Sequence, residues 1–218
     1  MTARYTLVIG NKNVSSWSLR AWLPMKVAGL PFEEIGVRLY QPETQDQILE
    51  HSASGRVPLL KIEDDGRMLR VWDSLAICET LAERHPEARL WPQEADARAQ
   101  ARSMSAEMHS GFPDLRRQLS MNIAARHETP VLEKITQRQV ARVADLWMEA
   151  LARHREGGFL YGHFTIADAF YAPVVTRFAT YSVPLPAPAA AYCERIRALP
   201  AMREWIAAAK AEVAAASG

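Results

Sequence analysis

The feature that most constrains the fold is a change of hydrophobic period near residue 85. Upstream of it, strand-like and helix-like runs alternate. Downstream, every apolar pattern has helical spacing. In the first stretch, Tyr5 to Ile9 reads as a strand, and Ser16 to Ala28 reads as a helix stopped by Gly29. Phe32 to Leu39 is a second strand, because Ile35, Val37 and Leu39 alternate with Gly36 and Arg38. Residues 43–51 are polar and predict a short helix. Pro58 to Ile62 and Met68 to Trp72 are two more strands, joined by a hairpin turn at Asp64-Asp65-Gly66. Leu75, Cys78, Leu81 and Ala82 then repeat as a helix, so the order is βαβαββα. Pro86 and Pro92 bracket Leu90-Trp91 among polar neighbours, which predicts a linker over 85–97 between domains at 1–84 and 98–218.

The second domain reads as all-helical. Ala101, Met104, Ser105 and Met108 form one stripe, and Val140, Val143, Ala144, Trp147 and Leu151 another. Thr165-Ile166-Ala167-Asp168 has the spacing of a capping box, in which hydroxyl and carboxylate reciprocally satisfy free N–H groups. Pro173 inside the helix that follows is expected to kink it. Pro184, Pro186 and Pro188 predict a loop. Met202, Trp205, Ile206 and Ala209 form the last stripe, after Pro200 in a first turn.

Three short pieces carry the chemistry, and each has two readings. Asn11-Lys12-Asn13-Val14-Ser15-Ser16-Trp17-Ser18 follows a strand and opens a helix. A helix start presents unpaired N–H groups, so Ser15 or Ser16 can cap it or can donate to a bound anion. Arg56-Val57-Pro58 precedes a strand, either as an ordinary edge or as a cis proline that turns the Val57 main chain outward to pair with an extended peptide. Asp73-Ser74 opens the next helix, as a cap or as a grip on a ligand's carboxylate and ammonium groups.

In this order within a βαβαββα unit, the three pieces resemble the cytosolic glutathione transferase family. The serine loop is similar to the Ser-Ser-Cys-Ser loop of serine-type, zeta-like and related bacterial members, with Trp17 standing where zeta-type enzymes have cysteine. Gly162 to Asp168 matches the family's helix-capping motif, and the resemblance covers nearly the whole chain. It implies an α+β thioredoxin-like N-terminal domain followed by an all-α helical bundle. It also implies glutathione as co-substrate and conjugation to a small electrophile, the chemistry of detoxification. Ser15, with Ser16 as its understudy, would donate to the thiolate. Val57 and Pro58 would hold the cysteinyl part of glutathione, Asp73 and Ser74 the γ-glutamyl end, and Arg56 or His51 the glycyl carboxylate. Met108, His109, Phe112 and Arg116, on or just after the helix that follows the linker, would line the electrophile pocket, while Met104 reads as core. Arg116 or Arg117 would pair with an acidic substrate. The family implies a homodimer.

Other activities remain open at this level. A glutathione-dependent isomerase of maleyl-type diacids needs a basic second pocket, and the absent loop cysteine counts against it. A disulfide reductase needs a cysteine in the first loop, where there is none. A non-catalytic glutathione-binding or interaction protein would keep the fold without turnover.

Bulk composition narrows the partners. The 218 residues carry 26 basic and 25 acidic side chains, a net charge of +1, so no concentrated basic face for nucleic acid is expected. No apolar run approaches the roughly 20 residues that span a bilayer. The start lacks a basic segment followed by a long apolar run, so no signal peptide is expected. Cys78 and Cys193 lie far apart without a C-x-x-C, which argues against disulfides and metal and for a reducing cytoplasm.

Overall fold

The computed structural model describes residues 3–216. The first domain comprises β1 (Arg4–Gly10), α1 (Ser16–Val27), β2 (Glu33–Val37), α2 (Thr44–Leu49), β3 (Leu59–Asp64), β4 (Arg67–Val71) and α3 (Ser74–Arg84). Its strands form one sheet in the order β2-β1-β3-β4, with β1 parallel to β2 and the other two pairs antiparallel. This is the expected βαβαββα domain, with β2 shorter than the alternation predicted. The β3–β4 turn runs through Asp65 and Gly66, both at positive φ (46° and 74°), the conformation a tight two-residue hairpin requires.

Alternation along the strands divides the core. Tyr5, Leu7, Ile9, Leu60 and Ile62 face one side and join the main hydrophobic cluster with α1 and α3. Val8 and Leu59 face the other, where Val37 and Ile48 of β2 and α2 cover them. Gly29, at φ 68°, ends α1: its N–H reaches the Lys26 carbonyl and that of Leu30 reaches Met25.

The second domain comprises α4 (Ala95–Ser110), α5 (Pro113–Gln118), α6 (Lys134–Arg153), α7 (Ile166–Thr180), α8 (Ala187–Ala198) and α9 (Pro200–Ala216). Helix α4 starts at Ala95, within the stretch expected as linker, because the Glu94 carboxylate accepts from the Asp96 and Ala97 N–H groups and caps it there. Pro188 is likewise not in a loop. It occupies the first turn of α8, where a missing N–H leaves no hydrogen bond unmade.

Helix α7 is buried on nearly every side and packs against α1, α4 and α8. The expected capping box starts it: Asp168 accepts from the Thr165 N–H and hydroxyl and from the Leu160 N–H. The helix continues through Pro173. The α1–α7 contact, together with Trp22 against Trp205 at 5.0 Å, merges the cores of the two domains into one cluster. Among the described residues no helix is long and apolar enough to cross a membrane. No group of three or more metal-ligating side chains occurs among them, and both cysteines are free and buried.

Candidate active site

A cleft of about 550 Å³ opens between the domains at the N-terminal end of α1. Ser15, Ser16, Trp17 and Val57 form one wall, and Arg116 and Arg177 belong to the other. No acidic side chain lines it.

The loop that delivers the serines is fixed from several directions. Asn11 accepts from the Leu39 N–H through its side chain, and its carbonyl takes the Val14 and Ser15 N–H groups. The Asn13 side chain accepts from the Ala124 N–H and donates to Asn122. Glu212 of α9 accepts from the Lys12 and Asn13 N–H groups, and the Trp205 indole donates to the Lys12 carbonyl. The second domain therefore holds the loop of the first in place.

Ser15 is the N-cap of α1. Its Oγ accepts from the Ser18 N–H at 3.4 Å and donates to the Ser18 Oγ at 2.7 Å, and Ser18 in turn accepts from the Gly10 N–H. The Ser16 Oγ accepts from an Arg177 Nη at 3.4 Å, and its own hydrogen has no acceptor among the described residues. The Val57–Pro58 bond is cis, and Val57 takes part in none of the sheet pairings, which begin at Leu59.

Asp73 caps α3 by accepting from the Leu75 N–H. The Ser74 hydroxyl beside it is buried and has no hydrogen-bond partner among the described residues. An orphaned buried hydroxyl at a helix start is one side of an incomplete polar site. His51 pairs with Lys61 at 3.1 Å, and Arg56 is exposed; neither lines the cleft.

Of the four residues expected in the electrophile pocket, Arg116 alone lines the cleft. Met108 is fully buried in the shared core, because the apolar stripe of α4 turns inward against α7, and Phe112, the residue before α5, is nearly as buried in the same core. Met104 is core as expected. His109 points across the domain boundary to Asp73 instead, with Nε2 3.0 Å from the carboxylate. Arg117 is engaged by Asp114 and Glu133.

The sequence reading missed two further arginines. Arg20 of α1 is buried, and its Nε and one Nη have no hydrogen-bond partner among the described residues. Its guanidinium stacks at 4.4 Å from the Trp17 ring centre and 5.0 Å from that of Phe170. Burial pushes it down to about 9, with Arg116 and Arg177 adding repulsion. Arg177 of α7 donates to the Arg116 and Leu119 carbonyls, and burial followed by Arg116 pushes it down to about 10. Arg116 is also lowered by burial, and it lies 5.7 Å from the Trp17 ring centre. Arg116 and Arg177 thus line the cleft, and the buried Arg20 lies close enough for the three guanidinium groups to repel one another. The signal was present in the sequence: Arg177 is the lone cation of a largely apolar helix, and Arg20 interrupts the apolar run from Leu19 to Met25.

Comparison with known proteins agrees with this architecture. Residues 14–84 match the family model of the glutathione S-transferase N-terminal domain, and residues 124–208 match that of its C-terminal domain. A probable maleylacetoacetate isomerase of Caenorhabditis elegans is 27% identical over 161 residues, covering 73% of this chain and 72% of its own. A glutathione transferase homolog from Burkholderia gl BGR1, solved with bound glutathione, superposes with a TM-score of 0.69 at 25% identity, covering 95% of this chain and 98% of that one. Glutathione transferase Omega 2S from Trametes versicolor, in complex with 2,4-dihydroxybenzophenone, superposes with a TM-score of 0.74 at 20% identity, covering 100% and 99%. With its two-domain fold, its serine loop at the head of α1 and both family domains matched, the chain belongs to the glutathione S-transferase family of enzymes.

Proposed function

We propose that this protein activates the thiol of its co-substrate, glutathione, with a serine hydroxyl at the start of α1 and delivers the thiolate to an acidic electrophile in the interdomain cleft. The observation that carries this reading is the cleft itself, with Ser15 and Ser16 facing Arg116 and Arg177 and no acidic side chain between. A free thiol has a pKa of about 8.5, so little of it is ionised at neutral pH. A hydroxyl donor at the positive end of a helix favours the anion, and each unit of lowering corresponds to about 1.4 kcal/mol. The thiol proton leaves to solvent, and the serine keeps its own hydrogen while sharing it with sulfur.

Ser15 is the donor in this reading. Its hydrogen turns from Ser18 toward the sulfur, and Ser18 remains held by the Gly10 N–H. Val57 offers its main chain to the cysteinyl unit, and Pro58 fixes its direction. Asp73 accepts the γ-glutamyl ammonium and Ser74 donates to the carboxylate. Arg116 and Arg177 take the acidic group of the second substrate, bidentate if it is a carboxylate. Arg56 or His51, both outside the cleft lining, would meet the glycyl carboxylate.

The arginine pair favours a second reading, isomerisation of a maleyl-type diacid. There the thiolate adds to the cis double bond, the resulting single bond rotates, and elimination returns glutathione and the trans product. The relationship to a probable maleylacetoacetate isomerase supports this reading as well. Assay of the purified protein with glutathione and either a carboxylate-bearing electrophile, such as a chloronitrobenzoate, or a maleyl diacid separates the two. Conjugate formation supports transfer. Cis-to-trans conversion without net thiol loss supports isomerisation. Glutathione binding with neither activity would leave a binding protein.

A homodimer is part of the proposal. Met68, Leu69 and Trp72, on β4 and just after it, are about half exposed, an apolar edge suited to a second copy. Two buried free cysteines suit a reducing cytoplasm.

A further inference from the structure

We infer that His109 is a positioning residue for glutathione: it holds the Asp73 carboxylate in the orientation that receives the γ-glutamyl ammonium. This rests on the reading of Asp73 as the ammonium acceptor. His109 lies in the last turn of α4, in the helical domain, and Asp73 lies at the start of α3, in the other. Its Nε2 is 3.0 Å from the Asp73 Oδ2. The second oxygen, Oδ1, takes the Leu75 N–H at 3.0 Å. One oxygen thus takes a backbone N–H and the other lies against the imidazole, so the two contacts together restrain the plane of the carboxylate.

For Nε2 to hold the carboxylate, the ring must carry a hydrogen on that nitrogen, because a carboxylate only accepts. The other ring nitrogen, Nδ1, is buried with no hydrogen-bond partner among the described residues. The ring meets Trp17 nearly at right angles, with centres 5.1 Å apart at 87°, and it lies 6.1 Å from the ring of Phe170. Aromatic side chains from both domains therefore hold the imidazole, and the imidazole holds the acid.

Asp73 stays available while it is held. Its side chain is 53% exposed, and each oxygen keeps a second lone pair for an incoming ammonium. Without His109, Asp73 keeps only the Leu75 bond, and the ammonium must order it on binding. The ammonium sits a γ-glutamyl chain away from the sulfur, so the consequence falls on glutathione binding and not on the chemical step. The histidine comes from the helical domain, so placing α4 correctly against the first domain is what completes the glutathione site.

The test compares steady-state kinetics for glutathione and for an analogue whose α-amino group is replaced by hydrogen. His109→Phe keeps the aromatic packing and removes the donor. It is expected to raise KM for glutathione about tenfold, as for loss of a hydrogen bond to a charged group, and to leave kcat within about twofold. His109→Gln, which keeps an N–H donor, should restore most of the affinity. With the deaminated analogue, wild type and His109→Phe should have the same KM. Added to Asp73→Asn, His109→Phe should have no further effect. If the phenylalanine variant does not fold, His109→Ala takes its place against the same glutamine control. An unchanged KM for glutathione, or equal losses with both thiols, overturns the inference while leaving the role of Asp73 intact. An Asp73→Asn enzyme with normal affinity overturns the reading of Asp73 and the inference with it.

Discussion

The hydroxyl oxygens of Ser15 and Ser18 lie 2.7 Å apart, and Ser15 is the donor. The same Ser15 oxygen accepts the Ser18 N–H and caps α1. Ser15 thus has a structural duty and a proposed catalytic one, and the two separate by measurement. Ser15→Ala should lower kcat/KM at least about tenfold and reduce stability by about 1 kcal/mol through loss of the cap. Ser16→Ala should lower turnover much less. The reverse pattern would transfer the thiolate to Ser16, whose hydrogen has no acceptor among the described residues.

Ser74 should behave differently. Its hydroxyl is buried without a partner, so Ser74→Ala removes an unsatisfied group from the free protein. The melting temperature should stay the same or rise slightly. Glutathione affinity should fall by about 1.5–3 kcal/mol, the loss of a hydrogen bond to a charged carboxylate. Calorimetric titration beside a thermal melt reads both, and unchanged affinity would remove Ser74 from the site.

Arg116→Gln tests the acidic half of the cleft. Arg116 is half-buried, and its tie to the Met108 carbonyl is a single hydrogen bond, so its replacement should leave the fold intact. KM for an acidic electrophile should rise at least about tenfold, while KM for a neutral one changes little. Parallel losses on both would assign Arg116 a packing role.

Asp168 sets a pH dependence of stability. Burial, opposed by hydrogen bonds from Leu160 and Thr165, pushes its carboxyl up to about 6, above the ordinary carboxylate range. The folded state therefore holds this proton more tightly than the unfolded chain. Its contribution is fully present below about pH 4 and is lost as pH rises through about 6. Asp168→Asn should remove that slope from urea midpoints measured across this window. At neutral pH it should destabilise by about 1–3 kcal/mol, because one amide oxygen cannot replace both carboxylate oxygens.

The oligomeric state is a further prediction. Light scattering at micromolar concentration should give twice the 24.4 kDa chain mass, and Leu69→Glu on the exposed β4 should shift it toward the monomer. A wild-type mass of 24.4 kDa would contradict the proposed dimer.

Where local signals dominate, the fold was readable from sequence. Gly29, the Asp65-Gly66 turn and the Thr165–Asp168 box each impose a backbone geometry within a few residues, and each appears where expected. The cis reading of Val57-Pro58 gained its weight from neighbouring motifs and not from its own spacing. Helix α5 escaped because six residues are too few to show a period. The α4 stripe gave the right helix but not which neighbour its apolar face meets, so Met108 and Phe112 were expected in a pocket and lie in the core. The burial of Arg177 had a local signal, but its partners did not: the Arg177–Ser16, Glu212–Lys12 and His109–Asp73 contacts join residues far apart in the chain, which no local pattern encodes.

The most direct test of the central claim is the ultraviolet absorbance of thiolate in the glutathione complex as a function of pH, with wild type beside Ser15→Ala. The account expects the bound thiol to ionise below the free value of about 8.5, and the alanine variant to return it toward that value. Glutathione that binds wild type with an unshifted thiol pKa would contradict serine activation.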